Sequence, residues 1–460
     1  MIRVPTGWKL SPLREVCDIV SGGTPKTGVA DFWGGNIAWV TPNDLSKDRS
    51  QTIAHGERQL TSAGYASCSA RTFPAGSVIV SSRAPIGYVA IAGQEMCTNQ
   101  GCKTAVPPDF IDSKYLYWYM LNAKADLESR ASGTTFKEIS GKGFGETQLV
   151  WPELHEQRRI VDILEDHLSR LDAAQSYLFS AIAGGAAMHR GVLQSATRGQ
   201  LVPLGQTTHS RDDQLSKRKA LCPENMKRGR PEPSARSQDF DGWPESWTQV
   251  SLEEATHPVR TISYGILKPG PNLDQGVPYV RVINMRGDTL GLDDLHRTSA
   301  DIARQYERAS LVPGDVLLSI RGTYGRVVQV PEALRGGNIT QDTVRLAFVG
   351  PIDPSFACVY LRSPQAQAYF KQIARGVAVK GVNIGDLRTM PFPIPPLTEQ
   401  LQIVAKVAEL SSQLEDARLT AESGLRRAAT LRHSLLGAAF AGRLTGRSTD
   451  VELVEEMAGV

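Results

Sequence analysis

Clustered carboxylates are what a nuclease needs to hold magnesium. The adjacent aspartates here, Asp212–Asp213 and Asp293–Asp294, both read as loop solvation. Eight histidines are scattered without acidic partners at useful spacings. The cysteines at 17, 68, 97, 102, 222 and 358 show no Cys-x-x-Cys spacing, and no histidine stands near Cys97 and Cys102. Buried thiols in a reducing cytoplasm are therefore expected, and no metal site. Ser140-Gly-Lys-Gly-Phe-Gly145 imitates a dinucleotide-binding turn only superficially, and no P-loop occurs. Neither Pro107-Pro108-Asp nor Pro395-Pro396-Leu matches the Asn/Asp-Pro-Pro-aromatic tetrapeptide of an adenine methyltransferase. The expectation is a chain without catalytic residues, metal or bound cofactor of its own.

The elements that carry these residues belong to a chain of 460 residues, long enough for two or three domains. With 41% hydrophobic and 22% charged residues it has the composition of a globular protein. No run of eighteen apolar residues and no signal-like N-terminus is present, so a cytoplasmic protein is expected. The net charge of +3 conceals asymmetry: 206–239 carries eight Lys/Arg against five Asp/Glu, and 446–460 carries one against four. The remaining body is mildly basic, which permits nucleic-acid binding without requiring it.

The chain is written twice. His155-Glu-Gln-Arg-Arg-Ile-Val161 returns as Thr398-Glu-Gln-Leu-Gln-Ile-Val404, shifted by 243 positions. The register holds without a gap to Gly199-Gln-Leu201 against Gly442-Arg-Leu444, through Leu171/Leu414, Ala186/Ala429 and Ala196/Ala439. Upstream the copies agree more loosely. Trp8 matches Trp247, and Pro74-Ala-Gly-Ser-Val-Ile-Val-Ser-Ser-Arg83 matches Pro313-Gly-Asp-Val-Leu-Leu-Ser-Ile-Arg321. Gly133-Thr-Thr-Phe-Lys137 faces Gly376-Val-Ala-Val-Lys380. A repeat this long suggests pseudo-twofold geometry, one chain imitating a dimer; two tandem domains without shared symmetry are the alternative.

The constant parts predict long helices. Val161, Leu164, Leu168, Leu171, Gln175, Leu178 and Ile182 alternate by three and four residues, and Val404, Val407, Ser411, Leu414, Arg418, Ala421 and Leu425 fill the same slots. That spacing makes a coiled-coil seam, with polar Gln175 or Arg418 at one slot to fix register. Pro152 and Pro395–Pro396 precede the helix starts, Gly199 and Gly442 are natural stops, and Gly184–Gly185 is a possible kink. Each helix would extend on the order of 60 Å at 1.5 Å per residue. The variable parts carry short β-branched runs such as Ser77-Val-Ile-Val-Ser81 and Asp315-Val-Leu-Leu-Ser319, punctuated by Gly, Pro and Asn. Short helices are expected over Ser113–Ala125 and Pro364–Arg375. The expected segments are a domain at 1–150, a spacer helix at 151–205, a basic flexible linker at 206–239, a second domain at 240–393, a second spacer helix at 394–445 and an acidic tail at 446–460.

Ser21-Gly-Gly-Thr-Pro25, Trp33-Gly-Gly-Asn-Ile-Ala-Trp-Val-Thr-Pro-Asn-Asp-Leu45 and Ser81-Ser-Arg-Ala-Pro-Ile-Gly-Tyr-Val-Ala90 resemble the first target-recognition domain of type I restriction specificity subunits. Tyr279-Val-Arg-Val-Ile-Asn284, Pro313 to Arg321 and Pro395-Pro-Leu-Thr-Glu-Gln400 are similar to the same family in the second half. The resemblance spans nearly the whole chain outside linker and tail. It implies an α+β fold: two pseudo-symmetric globular target-recognition domains separated by two long antiparallel coiled-coil helices. The partners it implies are double-stranded DNA, two copies of an adenine methyltransferase subunit holding S-adenosylmethionine, and often a restriction and translocation subunit using ATP and magnesium. Two readers on a rigid spacer would recognise a two-part asymmetric site with an unread gap, each reader placing side chains at base edges and cations at phosphates.

In the first domain the expected DNA contacts are Ser21, Gly22, Gly23, Thr24, Lys26, Thr41, Asn43, Asp44, Arg83, Asn99, Gln100 and Lys137. In the second they are Ser263, Tyr264, Arg281, Asn284, Arg321, Tyr324, Gln341, Lys380 and Asn383. Each has a structural alternative: Asn43 and Asn284 as turn caps, Arg83 and Arg321 in ion pairs, Tyr264 in a core. Glu156, Gln157, Glu399 and Gln400 recur at the helix starts, either to complement the helix dipole or to dock the methyltransferase.

Overall fold

The computed structural model describes residues 4–83, 85–133, 137–205, 210–221, 242–376 and 380–445; the expected acidic tail lies outside the described residues. The chain divides into two compact units, Met1–Ser180 with Ala421–Val460, and Ala181–Thr420.

In the first unit the strands run in the order Asp18–Ser21, Cys102–Val106, Val78–Ser81, Val89–Ala92 and Thr52–Ile53. Along Val78-Ile79-Val80 successive side chains enter different apolar clusters. Val78 and Val80 join Leu116, Met120, Leu164 and Leu168, while Ile79 joins Val20, Val40 and Met96. A strand buried on both faces explains the unbroken apolar run, since alternate side chains leave opposite faces. Fully burying one such side chain contributes roughly 1.5–3 kcal/mol.

The second unit repeats the plan. Its sheet runs Ser263–Tyr264, Thr343–Leu346, Val316–Ser319, Val327–Gln329, and Val316 and Leu318 face one cluster while Leu317 faces another. A second small sheet recurs too, with one antiparallel and one parallel pairing: Trp33–Val40 between Gln59–Leu60 and Cys97–Thr98, and Val277–Val280 between His296–Thr298 and Asn338–Ile339. The opening and closing strands of each half pair antiparallel, Lys9–Pro12 with Gln148–Trp151 and Thr248–Ser251 with Pro391–Ile394.

The long helices span Leu154–Ala196 and Leu397–Phe440. Helix continues through Gly184–Gly185, where a kink was one expectation. In the first unit Leu164 and Leu168 pack with Leu435, Ala438 and Ala439, Asp172 pairs with Arg432, and Leu178 lies over Gly424. In the second, Leu193 and Ala196 pack with Ile403 and Val407, and His189 meets Ser411 at 3.5 Å. Within each unit the pairing is antiparallel. The expected seam positions are buried or half-buried throughout. At the polar slot Arg418 bonds Glu415 of its own helix at 2.6 and 2.8 Å.

Both helices end in the same motif. Gly199 and Gly442 adopt φ of +66° and +67°, and the next residues, Gln200 and Arg443, donate back to Ser195 and Ala438. A Cβ on either glycine would stand 2.5 Å from a proline, Pro244 for Gly199 and Pro5 for Gly442. The end of the second helix thus meets the start of the chain as the end of the first meets the start of the second half.

Two expectations change. Within the segment read as a flexible linker, Arg211–Ala220 is helical. Ser210 and Asp213 form a capping box, Arg211 pairs with Glu254 at 2.5 Å, and buried Gln214 donates to the Val349 carbonyl at 3.1 Å. These polar anchors tether a segment that few apolar residues could hold. Each half also carries two helices where one was expected: Ser113–Asn122 with Lys124–Ser129, and Pro354–Arg362 with Pro364–Ile373.

Candidate nucleic-acid interface

Of the expected first-domain residues, the structure draws Ser21–Thr24, Thr41, Arg83, Asn99 and Gln100 together. Gly22 lies so close to the loop after Cys97–Thr98 that a Cβ would stand 2.0 Å from the Asn99 carbonyl oxygen. The Gly23 N–H donates to the Thr98 carbonyl at 2.9 Å, and its own carbonyl accepts from the Trp39 indole at 3.0 Å. The Thr24 hydroxyl donates to the Gln100 side chain. Asn99 closes the loop, accepting from the Gly101 N–H at 3.0 Å. A Cβ on Gly101 would stand 2.9 Å from Arg83 Nε and 3.0 Å from Pro42, so guanidinium and loop lie against one another. Arg83 reaches Glu138 at 3.7 Å, a loose ion pair. Lys26, Asn43 and Lys137 are exposed.

Asp44 does not join that surface. It is 8% exposed and caps the helix Pro42–Lys47, accepting from the Thr41 N–H at 2.8 Å, the Thr41 hydroxyl at 2.7 Å and the Glu57 N–H at 3.0 Å. Gly22 and Gly23 are buried as well and serve by admitting backbone, not by offering side chains.

The second unit repeats this construction with other residues. A Cβ on Gly265 would stand 1.9 Å from the Ile339 carbonyl oxygen, the counterpart of the Gly22 contact. Gln341 follows Thr340 as Gln100 follows Asn99, and the Thr340 N–H bonds Val280 as the Asn99 N–H bonds Val40. Asn284 takes the role of Asp44: fully buried, it accepts from the Arg281 N–H at 2.9 Å and donates to Asp294 at 3.1 Å. Its expected base contact therefore gives way to a cap, whereas Arg281, half-buried, reaches the Asp294 carbonyl at 3.1 Å. Tyr264 is exposed with the Arg308 guanidinium 5.6 Å from its ring, and the Ser263 hydroxyl donates to the Arg308 carbonyl at 3.4 Å. Arg321 and Lys380 are exposed and adjacent, since the Gly322 N–H donates to the Lys380 carbonyl at 3.1 Å. Tyr324 packs half-buried on the main cluster. Asn383 is exposed and caps the short helix Ile384–Arg388. Its counterpart Ser140, absent from the sequence-based set, caps Gly141–Gly145.

The two loops carrying Arg83 and Arg321 share one scaffold. The Ser81 hydroxyl donates to the Pro85 carbonyl and accepts from the Tyr88 N–H, both at 2.8 Å; the Ser319 hydroxyl treats Thr323 and Arg326 identically.

Of the four residues expected either to complement the helix dipole or to dock a partner, Gln157, Glu399 and Gln400 are internal and offer no docking surface, while Glu156 and Glu399 lie in the first turns of their helices. The fully buried Gln157 amide accepts from the Asp112 N–H at 2.8 Å and donates to the carbonyls of Phe110 at 3.0 Å and Pro152 at 2.9 Å. Gln400 makes the same three bonds to Asp353, Pro351 and Pro395, at 2.8, 2.7 and 2.8 Å. Glu399, 2% exposed, accepts from the Trp247 indole at 2.8 Å and the Gly205 N–H at 3.1 Å. Glu156 is half-exposed. Each glutamine ties a domain helix cap to the start of a long helix, which orients the domain on it.

Among the described residues no group of three or more His, Cys, Asp or Glu could hold a metal, and no helix is long and apolar enough to cross a membrane. Burial pushes the thiols of Cys17 and Cys97 up to about 12.

Comparison with known proteins finds the duplication as well. The family described as "Type I restriction modification DNA specificity domain" matches residues 5–176 and again 263–422. The specificity subunit of type I restriction enzyme MjaIX from Methanocaldococcus jannaschii is 36% identical over 186 residues, 39% of this chain and 43% of the relative. That of EcoBI from Escherichia coli is 26% identical over 347 residues, 75% of this chain and 69% of the relative. The matched part is thus under half the length of the first relative. Among solved structures, a chain from work on complex assembly and conformational transition of the type I R-M system superposes with a TM-score of 0.70 at 18% identity, covering 96% of this chain and all of that one. The HsdS subunit from Thermoanaerobacter tengcongensis gives 0.59 at 19% identity, covering 96% and 99%. Both likenesses concern the fold.

Proposed function

The chain belongs to the type I restriction modification DNA specificity family, and on that premise we propose that its two repeated domains read the two halves of a bipartite, asymmetric DNA site. The observation that carries this reading is the recurrence of one surface on two units with different side chains. Gly22 and Gly265 let each loop approach closely, Asp44 and Asn284 cap each turn, and Gln100 and Gln341 follow in register. Arg83 and Thr41 dress the first surface; Arg321, Arg281 and Tyr264 dress the second. Arginine pairs bidentately with guanine, and amide side chains suit adenine, so different dressing selects different bases. Exposed Lys26, Lys137 and Lys380 suit phosphates, which fix position without reading sequence.

In this reading the chain recognises and its partners react. Adenine methylation needs the base out of the stack, and that step belongs to two copies of a methyltransferase subunit holding S-adenosylmethionine. Where a restriction subunit joins the complex, ATP and magnesium belong to it. The setting is the cytoplasm.

The test is to map methylated adenines made by the chain together with its methyltransferase subunits. A two-part asymmetric motif with an unread gap is expected; a single contiguous motif would contradict the reading, as would methylation by the purified chain alone.

A further inference from the structure

We propose that Lys103 is a positioning residue of the first reader, holding the Asn99–Gly101 loop from beneath so that Gln100 and Arg83 meet DNA in a fixed arrangement. The inference rests on the reading above that this surface recognises bases.

Lys103 lies within the strand Cys102–Val106, opposite Val80 on one side and Ser21 on the other, and is 6% exposed. Its ammonium donates to the Gln100 carbonyl at 2.9 Å and the Cys102 carbonyl at 3.5 Å. Gln100 is therefore held twice, by Lys103 through its backbone and by the Thr24 hydroxyl through its side chain. Because a Cβ on Gly101 would meet Arg83 Nε at 2.9 Å, displacement of the loop also displaces the guanidinium. Burial pulls the ammonium below its ordinary range, with Glu138 opposing and Arg83 adding to the shift. A cation is expensive to bury without compensation, and charge-assisted bonds to loop carbonyls supply it.

The fold itself does not require a lysine there. In the second unit the strand position opposite Leu318 and Tyr264 is Val344, and both loops close alike, through the Thr343 N–H on the Thr340 carbonyl at 3.2 Å and the Cys102 N–H on the Asn99 carbonyl at 3.1 Å. The same backbone turn forms around an apolar side chain, so what the lysine adds to the first loop is its bond to the Gln100 carbonyl.

The test uses the assembled methyltransferase and duplexes carrying single base-pair changes in either half of the mapped motif. Lys103→Met is expected to lower discrimination in the first half-site by about tenfold, the scale of one lost base contact. Discrimination in the second half and the melting temperature should stay as in the unaltered protein, and Lys103→Arg should recover most of the loss. Should the methionine variant fail to assemble, Lys103→Gln, which keeps an N–H without the charge, carries the same expectation at reduced size. Unchanged first-half discrimination overturns the proposal, and so does a fall in both halves that tracks the melting temperature. Gln100→Ala separates the two claims. If it lowers first-half discrimination while Lys103→Met does not, positioning alone fails; if it too changes nothing, the reading surface is misassigned and both fall.

Discussion

The two units share a skeleton and differ in what the skeleton presents. Gly22 and Gly265 occupy matched positions and admit a matched close approach, and Ser81 and Ser319, Asp44 and Asn284, Gln157 and Gln400 make matched bonds. At the surface the partners diverge. Thr41 stands where the second unit has Arg281 and Asn99 where it has Thr340, while Gly101 and Lys103, both buried, stand where it has Asp342 and Val344. Arg83 bridges Glu138, whereas Arg321 bridges Gly381, which offers no carboxylate. Backbone geometry is thus held by residues whose polar atoms are satisfied inside, which leaves the outward positions to vary without cost to folding. A duplicated reader can diverge in what it recognises because its caps and latches point inward.

The strongest way to break this comparison is to fill its glycines. Gly22→Ala and Gly265→Ala each place a methyl group 2.0 or 1.9 Å from a carbonyl oxygen. Each should cost at least about 3 kcal/mol by overpacking against backbone that cannot yield, seen in denaturant unfolding, and abolish recognition in its own half-site. Tolerance at one site but not the other would show that the units are built differently. Next come the latches. Gln157→Ala and Gln400→Ala each remove three bonds to backbone groups, one wholly buried and two part-buried, and at about 1–3 kcal/mol for a lost buried partner the two variants should be destabilised to a similar degree. Thermal melting reads this; a large effect from one alone would contradict equivalence. Smallest is Glu138→Ala, which removes a loose, part-exposed ion pair worth about 0–1 kcal/mol. Stability should hardly move, while first-half discrimination and the salt dependence of binding shift as Arg83 is released; no change in either would deny that Glu138 orients the arginine.

The duplication, the helix seam and the loop clusters were legible because side-chain periodicity and repeated motifs are local signals. Burial of single polar residues was not. Asn43 and Asp44 are neighbours of similar chemistry, and only the cap geometry turns Asp44 inward and leaves Asn43 exposed. The repetition of Gln157 and Gln400 was visible, but their partners at 110–112 and 351–353 lie more than forty residues upstream, beyond any local pattern. The helix Arg211–Ala220 hid for the same reason: its basic, apolar-poor sequence looks solvated, and its anchors are Glu254, Thr256 and Val349. A lysine in the apolar run Cys-Lys-Thr-Ala-Val was the available sign of Lys103.

Separate reading by the two units is tested most directly by exchanging residues 1–150 for the corresponding domain of a relative with a different known site and sequencing the methylated adenines that result. The account predicts that one half of the motif takes the relative's sequence while the other half is unchanged. A motif altered in both halves, or in neither, would contradict it.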